Sequence, residues 1–556
     1  MKRFILIQIL LLSFVTQIVN AQQTPYEDQS NSKGLNEQVV ITKERENVLP
    51  PAYRTYPKVD IDIKKEKFEA QSYDFNDYSL KVPDVESKIK ILGVKEVEKP
   101  SNQKGFVRLG FGNYVSPRFD VAWSDKVGEK FFYSINAGHW SWKNGPTTDR
   151  KSGFSNNYLN FNTKHIWEKY IYSNELSYNR KGLQFYGFRE NEDLNKESNP
   201  QIWNSLLYTT SLNTTPANSS DYVFNTKLSY GFLTAYTWTT ENEIAVNHVS
   251  SFNMDANRFI LGDVDFSYSN RAYRTLSQNR FLLQLRPQYQ LLVSGFKVKT
   301  GFNMAFDNDT VENANVFHLY PLASASKEFL KGKLFAELGI KGGIEKNNVR
   351  TLVNENPFVN NLISLANTNN KFTFFANARA KVIKNLTFTG DFKIANYTNY
   401  YFWVNDSVNR AKFKPLFESG STTHIQLNTE FRYNVVDKWY AGVKYQFNNY
   451  NSATIKTPFA KPINVIDVNA GFILNKKIYI DFDWVIMQGI KTLEPRNKQV
   501  VDLKTISDIN LKLDYRFSDK FSSFLEINNL LSQKYSRYLY YPVRGINVML
   551  GLTYQF

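Results

Sequence analysis

The chain has 556 residues, no cysteine, 15% aromatic residues and a formal net charge of +16. Without cysteine it holds neither a disulfide nor a thiolate-bound metal. No segment beyond the N-terminus runs eighteen residues without a polar interruption, so a spanning helix is excluded. So many aromatic side chains in a chain of negative mean hydropathy call for surfaces that alternate between apolar and polar contact.

The basic Met1-Lys2-Arg3, the apolar stretch from Phe4 to Val15 and the small-residue site Val19-Asn20-Ala21 predict a signal peptide over residues 1–21. The chain is therefore expected to be exported. Gln22 rather than cysteine follows the cut, which argues against a lipoprotein. Residues 22–104 hold 14 basic and 15 acidic groups, scattered prolines (Pro50, Pro51, Pro57, Pro83, Pro100) and no sustained period. They predict an extended periplasmic arm or a reduced plug, with short β pieces such as Gln38 to Thr42.

From Gly105 the period becomes two. Strands are expected at 105–114, 118–125, 130–142, 155–167, 170–188, 221–238, 241–252, 278–290, 294–306, 315–328, 333–346, 371–382, 386–398, 421–434, 439–450, 462–474, 478–488, 505–517, 521–530 and 545–556. A further hairpin around Phe259 to Tyr268 would raise the count from 20 to 22. The connections alternate in length. Those at 143–154, 189–220, 253–277, 347–370, 399–420, 489–504 and 531–544 are long, and those at 239–240, 291–293, 383–385, 435–438, 475–477 and 518–520 are short. Short periplasmic turns alternating with long outer loops, and an even strand count, are the pattern of a transmembrane barrel. The expected fold is all-β: a transmembrane antiparallel β-barrel of about 20–22 strands over residues 105–556, in the cell outer membrane.

The last strand carries the pattern most cleanly. Ile546, Val548, Leu550, Leu552, Tyr554 and Phe556 fall on one face, expected to meet lipid, close the barrel and act as a C-terminal signal. Asn547, Met549, Gly551, Thr553 and Gln555 fall on the other.

Residues 105–556 hold 52 basic and 37 acidic groups, so the excess charge belongs to the barrel. It could meet lipopolysaccharide outside or line a lumen attractive to anions; no basic helix or finger points to nucleic acid. Arg108, Arg286, Arg379, Lys393, Arg432, Lys444 and Lys512 are expected to face the lumen, since basic groups on the lipid face cost about 2–4 kcal/mol near the midplane. The alternative is that they pair within the wall with Glu337, Glu430, Asp514 and Glu526. Asp481 with Asp483, and Asp263 with Asp265, fit either a lumen cation site or ordinary lumen polarity.

Several motifs resemble a known family. Phe524 to Leu530 (FLEINNL), then Lys534-Tyr535, then Tyr541 to Asn547 (YPVRGIN) resemble the ending of TonB-dependent receptor barrels, and Val107 to Gly112 with Lys130 to Ala137 resemble their start. The resemblance, to the Bacteroidota type, implies solute transport across the outer membrane and TonB as an energy-coupling partner. The family's plug is longer than residues 22–104, so this chain looks plug-reduced or plug-less, and coupling to TonB is left open. Asp309-Thr310-Val311 and Asp406-Ser407-Val408 resemble a Bacteroidota O-glycosylation acceptor.

His139, His165, His248, His318 and His424 stand singly, without metal-ligand or triad spacing. No catalytic residue, cofactor or metal is assigned, and no enzyme is expected. Two functions stay open. One is a receptor-like transporter. The other is a non-transporting subunit, closed by its loops or its arm, that scaffolds outer-membrane protein or lipoprotein partners.

Overall fold

The computed structural model describes residues 103–143, 145–147, 151–189, 200–215, 220–236, 239–274, 276–309 and 314–556. The expected signal peptide, nearly all of the expected arm and the Thr310 motif lie outside them. The described chain forms one 22-stranded antiparallel sheet, from Gly105–Gly112 to Asn547–Gln555, with the last strand hydrogen-bonded to the first. Among the described residues no helix is long and apolar enough to cross a membrane; the crossing is made by strands.

Alternation decides which side chain meets what. In the last strand Val548, Leu550, Leu552 and Tyr554 are exposed on the outer wall, while Asn547, Met549, Gly551 and Thr553 are buried on the inner side. Phe111, Phe119, Trp123, Leu319 and Leu338 extend the same outward apolar band around the barrel. Lipid contact explains such exposure, which water would penalise.

Closure depends on a close approach at the seam. Gly110 and Gly551 stand directly opposite each other, and the ring of Phe524, 1% exposed, covers both. A β-carbon on Gly551 would lie 2.3 Å from the carbonyl oxygen of Leu109 and from the Phe524 ring. The carbonyl of Phe556 accepts the amides of Lys104 (2.7 Å) and Gly105 (3.0 Å), completing the ladder at its lower edge.

The expected strands are present with two additions. Pro200–Thr214 lies inside the expected loop 189–220, and Arg258–Tyr273 inside 253–277. The former was hidden because Trp203 and Leu207 put apolar groups on its inner face and blur the period. The latter is a single 16-residue strand rather than a hairpin, since its partners flank it on both sides along its whole length. The connection at 236–238 is consequently at the long-loop end, not the short-turn end, and 254–257 is a short turn. Two omitted strands restore the parity of every later connection.

Long connections carry small structures of their own: a helix at Val349–Glu355 and two-stranded pairs Tyr401–Asn405/Phe413–Phe417, Lys491–Leu493/Val500–Asp502 and Ser536–Tyr538/Tyr541–Pro542. Among the described residues the opposite end carries short turns, the periplasmic side in barrels of this kind.

Gly551→Leu is expected to prevent closure, and Gly551→Ala to destabilise the barrel by about 1–3 kcal/mol through overpacking. Heat-modifiable gel migration and the urea unfolding midpoint check both; a wild-type midpoint for Gly551→Leu would refute this account of the seam.

Candidate functional site: a loop cap over a polar lumen

A 22-strand wall encloses more space than its own side chains can fill. The outer loops fill the upper part with an apolar core. Val349, Leu352, Val353, Val359, Ile363 and Leu365 of the 346–367 loop pack against Leu183, Trp203 and Leu233 of the wall, and against Trp403, Phe413 and Tyr541 of other loops.

Polar contacts fix this core to the wall. The helix at 349–355 has Asn348 as N-cap, in a reciprocal capping box with Thr351. Glu241, 1% exposed on the strand Thr239–Asn253, accepts the amides of Val349 (2.8 Å) and Arg350 (3.2 Å) that the first helical turn leaves unpaired. Glu243 accepts from Asn348 (2.8 Å) and from the Lys346 ammonium. Arg350 donates to Ser205 Oγ at 2.6 Å. Arg271 donates to the carbonyls of Ile363 and Asn361 at 2.6 and 2.7 Å, and Arg280 to the carbonyl of Asn347 at 2.5 Å and to Asn367 Oδ1 at 2.7 Å. Neighbouring strands on one arc of the wall thus hold one loop.

The loop 529–546 binds the other loops together. Tyr541 lies buried between Phe358 (centroids 3.9 Å) and Tyr186 (4.7 Å), with its hydroxyl donating to the Ala411 carbonyl. Tyr538 donates to the Glu355 carbonyl (2.9 Å), Arg537 to that of Ala460 (3.0 Å), and Tyr540 to the Glu494 carboxylate. The Arg544 guanidinium stacks over Trp142 at 3.9 Å. Gly187 must be glycine here: a β-carbon would fall 1.9 Å from the Tyr541 ring.

Glu418 makes a second anchor. Fully buried, it accepts the amides of Gly420 (2.8 Å), Thr454 (3.1 Å) and Ile455 (2.7 Å) and the Thr454 hydroxyl (2.5 Å). Burial works to raise its pKa, but these hydrogen bonds outweigh it and hold the carboxyl below its ordinary value. Glu355 is depressed likewise: burial is outweighed by Lys461, 2.8 Å away.

Beneath the cap the wall is polar. Near the short-turn end a chamber of about 910 Å³ is lined by Lys126, Lys164, Lys227, Glu175 and a field of Ser, Thr and Asn from five neighbouring strands. These lysines were not singled out in the sequence; only the register shows that they share the inner face.

The seven basic residues expected in the lumen all lie on inward-facing register positions, but they do not converge. Arg108 sits between Phe106 and Phe524 and donates to Thr553 at 3.3 Å. Arg286 bridges Asp263 (3.0 Å) and Asp265 (2.6 Å), so this pair holds an internal cation. Arg379 stands opposite Thr389 and Phe335. Lys393 shares a groove with Glu337, Lys341 and Asp391. Arg432 lies over Tyr440 at 5.1 Å. Lys444 faces Glu430 and Asp467 across the ladder, and Lys512 pairs with Asp514 at 2.8 Å. Glu526 takes Arg118 at 3.0 Å. Asp481 accepts from Tyr440 at 3.1 Å, and Asp483 stands opposite Asn469 and Asn510.

The five histidines stay separate: His139 contacts Asn157 and Ser141, His165 packs on Phe131 and Trp167, His248 contacts Thr226 and Tyr222, His318 lies 3.5 Å from Asp307, and His424 stacks on Tyr450. Among the described residues no three His, Asp or Glu side chains are grouped to hold a metal. Ser407 is exposed at the tip of the Tyr401–Asn405/Phe413–Phe417 hairpin, where Asp406 accepts the amides of Val408 and Asn409.

A closed barrel of this size with an outward apolar band is an outer-membrane protein. Its fold is that of TonB-dependent receptor barrels. The FrpB iron transporter of Neisseria meningitidis superposes with a TM-score of 0.64 at 8% identity, covering 82% of this chain and 81% of that one. A ferric enterobactin receptor of Pseudomonas aeruginosa gives 0.60 at 10%, with 82% and 81% covered. The Pseudomonas aeruginosa ferripyoverdine receptor gives 0.60 at 11%, with 82% and 72% covered. At such identities the likeness is one of fold. No protein-family profile matches the chain, and no curated protein matches it.

Because Glu418 has a depressed pKa, its stabilising contribution is full above the ordinary glutamate value of 4.5 and is lost as pH falls through the lower folded value. Amide exchange at Thr454 and Ile455, corrected for intrinsic rates, should be slow at pH 7 and speed up as pH falls through that lowered value. Glu418→Gln should exchange roughly ten- to a hundredfold faster at pH 7, the loss of charge-assisted hydrogen bonds, with a flat pH profile. Unchanged protection in the variant would refute the anchor.

Proposed function

We propose that this barrel carries a small polar or anionic solute across the outer membrane, with the loop cap as its outer gate. The observation that supports this most is a polar, lysine-bearing chamber inside a receptor-type barrel, separated from the outer face by a cap built wholly from loops. Charged inner walls concentrate counter-ions, so Lys126, Lys164 and Lys227 favour anions. FrpB is an iron transporter and the Pseudomonas protein a ferric enterobactin receptor; for this chain the shared fold supports solute passage without specifying the solute. TonB, through the resemblance, and lipopolysaccharide, at the outer rim, are the partners this reading brings. The role is non-catalytic.

A second reading has its own support. The cap core is apolar and joined to the wall by buried charge contacts, which suits a permanently closed barrel that scaffolds outer-membrane protein or lipoprotein partners.

Planar-bilayer recording separates them. The folded wild type is expected to be silent or nearly so. Tyr541→Ala removes a fully buried ring at the junction of the loops, typically about 3–5 kcal/mol of packing for a large aromatic, and should open anion-selective current; Lys164→Glu with Lys227→Glu in that background should reverse the preference. A folded Tyr541→Ala barrel that stays silent, together with stoichiometric partners after gentle native-detergent purification, would overturn transport in favour of the scaffold.

A further inference from the structure

The short-turn rim is charged unevenly. Consecutive hairpins are neighbours in a closed sheet, so the turns 330–333, 384–385, 436–438, 475–477 and 517–520 lie side by side along one arc. They hold seven lysines against Asp437 and Asp519. The described turns on the other arc, at 128–130, 167–169, 220–221, 254–257 and 294–295, hold Lys130 and Lys169 against four acidic residues.

Backbone geometry adds a second observation. Leu330 and Lys331 have φ of 52° and 56°, and Lys476 has 55°. This is the left-handed region, where glycine or asparagine costs least. Two turns of the basic arc thus present a leucine or a lysine where the backbone favours neither.

The neighbours of these lysines identify the chemistry. Phe329, Trp439, Phe472, Phe517 and Phe521 are exposed on the outer wall beside the turns, and Leu330 and Val436 are 70% and 75% exposed at their tips. On the outer face at the edge of this arc, Lys327 holds its ammonium 4.2 Å from the Phe296 ring. Apolar groups at acyl depth, rings at the boundary and ammonium groups just beyond are the arrangement of a membrane interface with anionic headgroups.

We propose that this arc binds the phosphate headgroups of anionic phospholipid in the periplasmic leaflet, giving the barrel one lipid-holding side and one side without such lipid. The inference rests on outer-membrane location alone and is independent of whether a solute passes. The test uses full-length protein reconstituted into phosphatidylethanolamine vesicles with a minor share of phosphatidylglycerol, gently extracted, and counted for retained lipid by native mass spectrometry. Wild type should retain phosphatidylglycerol above its bulk share. Replacing Lys331, Lys333, Lys384, Lys438, Lys476 and Lys477 by glutamine should lower that enrichment roughly tenfold or more, whereas arginine at the same six positions should keep it. Lys130→Gln with Lys169→Gln should also keep it. Heat-modifiable migration confirms each variant as folded; if the sixfold glutamine variant fails that check, Lys476→Gln with Lys477→Gln supplies the comparison and should lower enrichment severalfold. Absence of enrichment in wild type would overturn the proposal and favour an acidic protein partner. Equal loss from the two arcs would overturn it as well.

Discussion

Everything in this molecule follows from the absence of water in the hydrocarbon layer. Each backbone amide and carbonyl there must find a partner within the protein, and a sheet that crosses lipid must have no edge. The pairing of Gly105–Gly112 with Asn547–Gln555 satisfies that condition, and it requires two chain segments more than 430 residues apart in sequence to meet. Glycines opposite one another with an aromatic ring across them let the two ends approach closely. Closure then fixes an even strand number and sorts the connections into two ends, one of tight turns and one of loops.

Closure at 22 strands creates the second problem, a lumen wider than its lining. Water can fill it, at the cost of a hole in the membrane, or chain can. In the described residues the upper part is filled by chain drawn from five of the outer loops. A loop entering such a space carries unpaired backbone groups with it. The wall supplies missing partners, Glu241 for helix amides and Arg271 and Arg280 for carbonyls, and the loop residue Glu418 serves a turn held between two loops.

Much of the wall was legible from period-two alternation, because lipid on one side and polar groups on the other force every second residue to a type. Legibility failed where that force was absent. In Pro200–Thr214 the upper part of the inner face meets the cap, so Trp203 is buried there and breaks the apolar–polar alternation. The cap itself left no periodic trace. Leu352, Val359, Trp403 and Phe413 are buried by contacts between loops far apart in sequence, and no local pattern records such contacts. The basic lumen candidates occupy inner register positions, where their charge avoids lipid, and their partners were only partly foreseen. Lys512 does meet Asp514, while Glu526 goes to Arg118, a residue three strands away around the seam.

The buried charges of the cap are best understood as specifying geometry rather than adding stability. Removing a carboxylate and a guanidinium from water costs several kcal/mol each, and their contacts typically return about that much. An apolar cap of the same volume would hold comparably well, but it could slide over the wall in many registers. Glu241 meets two particular amides and Arg271 two particular carbonyls, so only one placement of the 346–367 loop leaves both satisfied. The apolar core then provides the adhesion and the charges the address. Displacing the loop by even one residue would strand buried charges together with the helix-end amides, and this penalty makes the closed state discrete. A cap of this design opens as a unit or stays shut; it does not loosen by degrees.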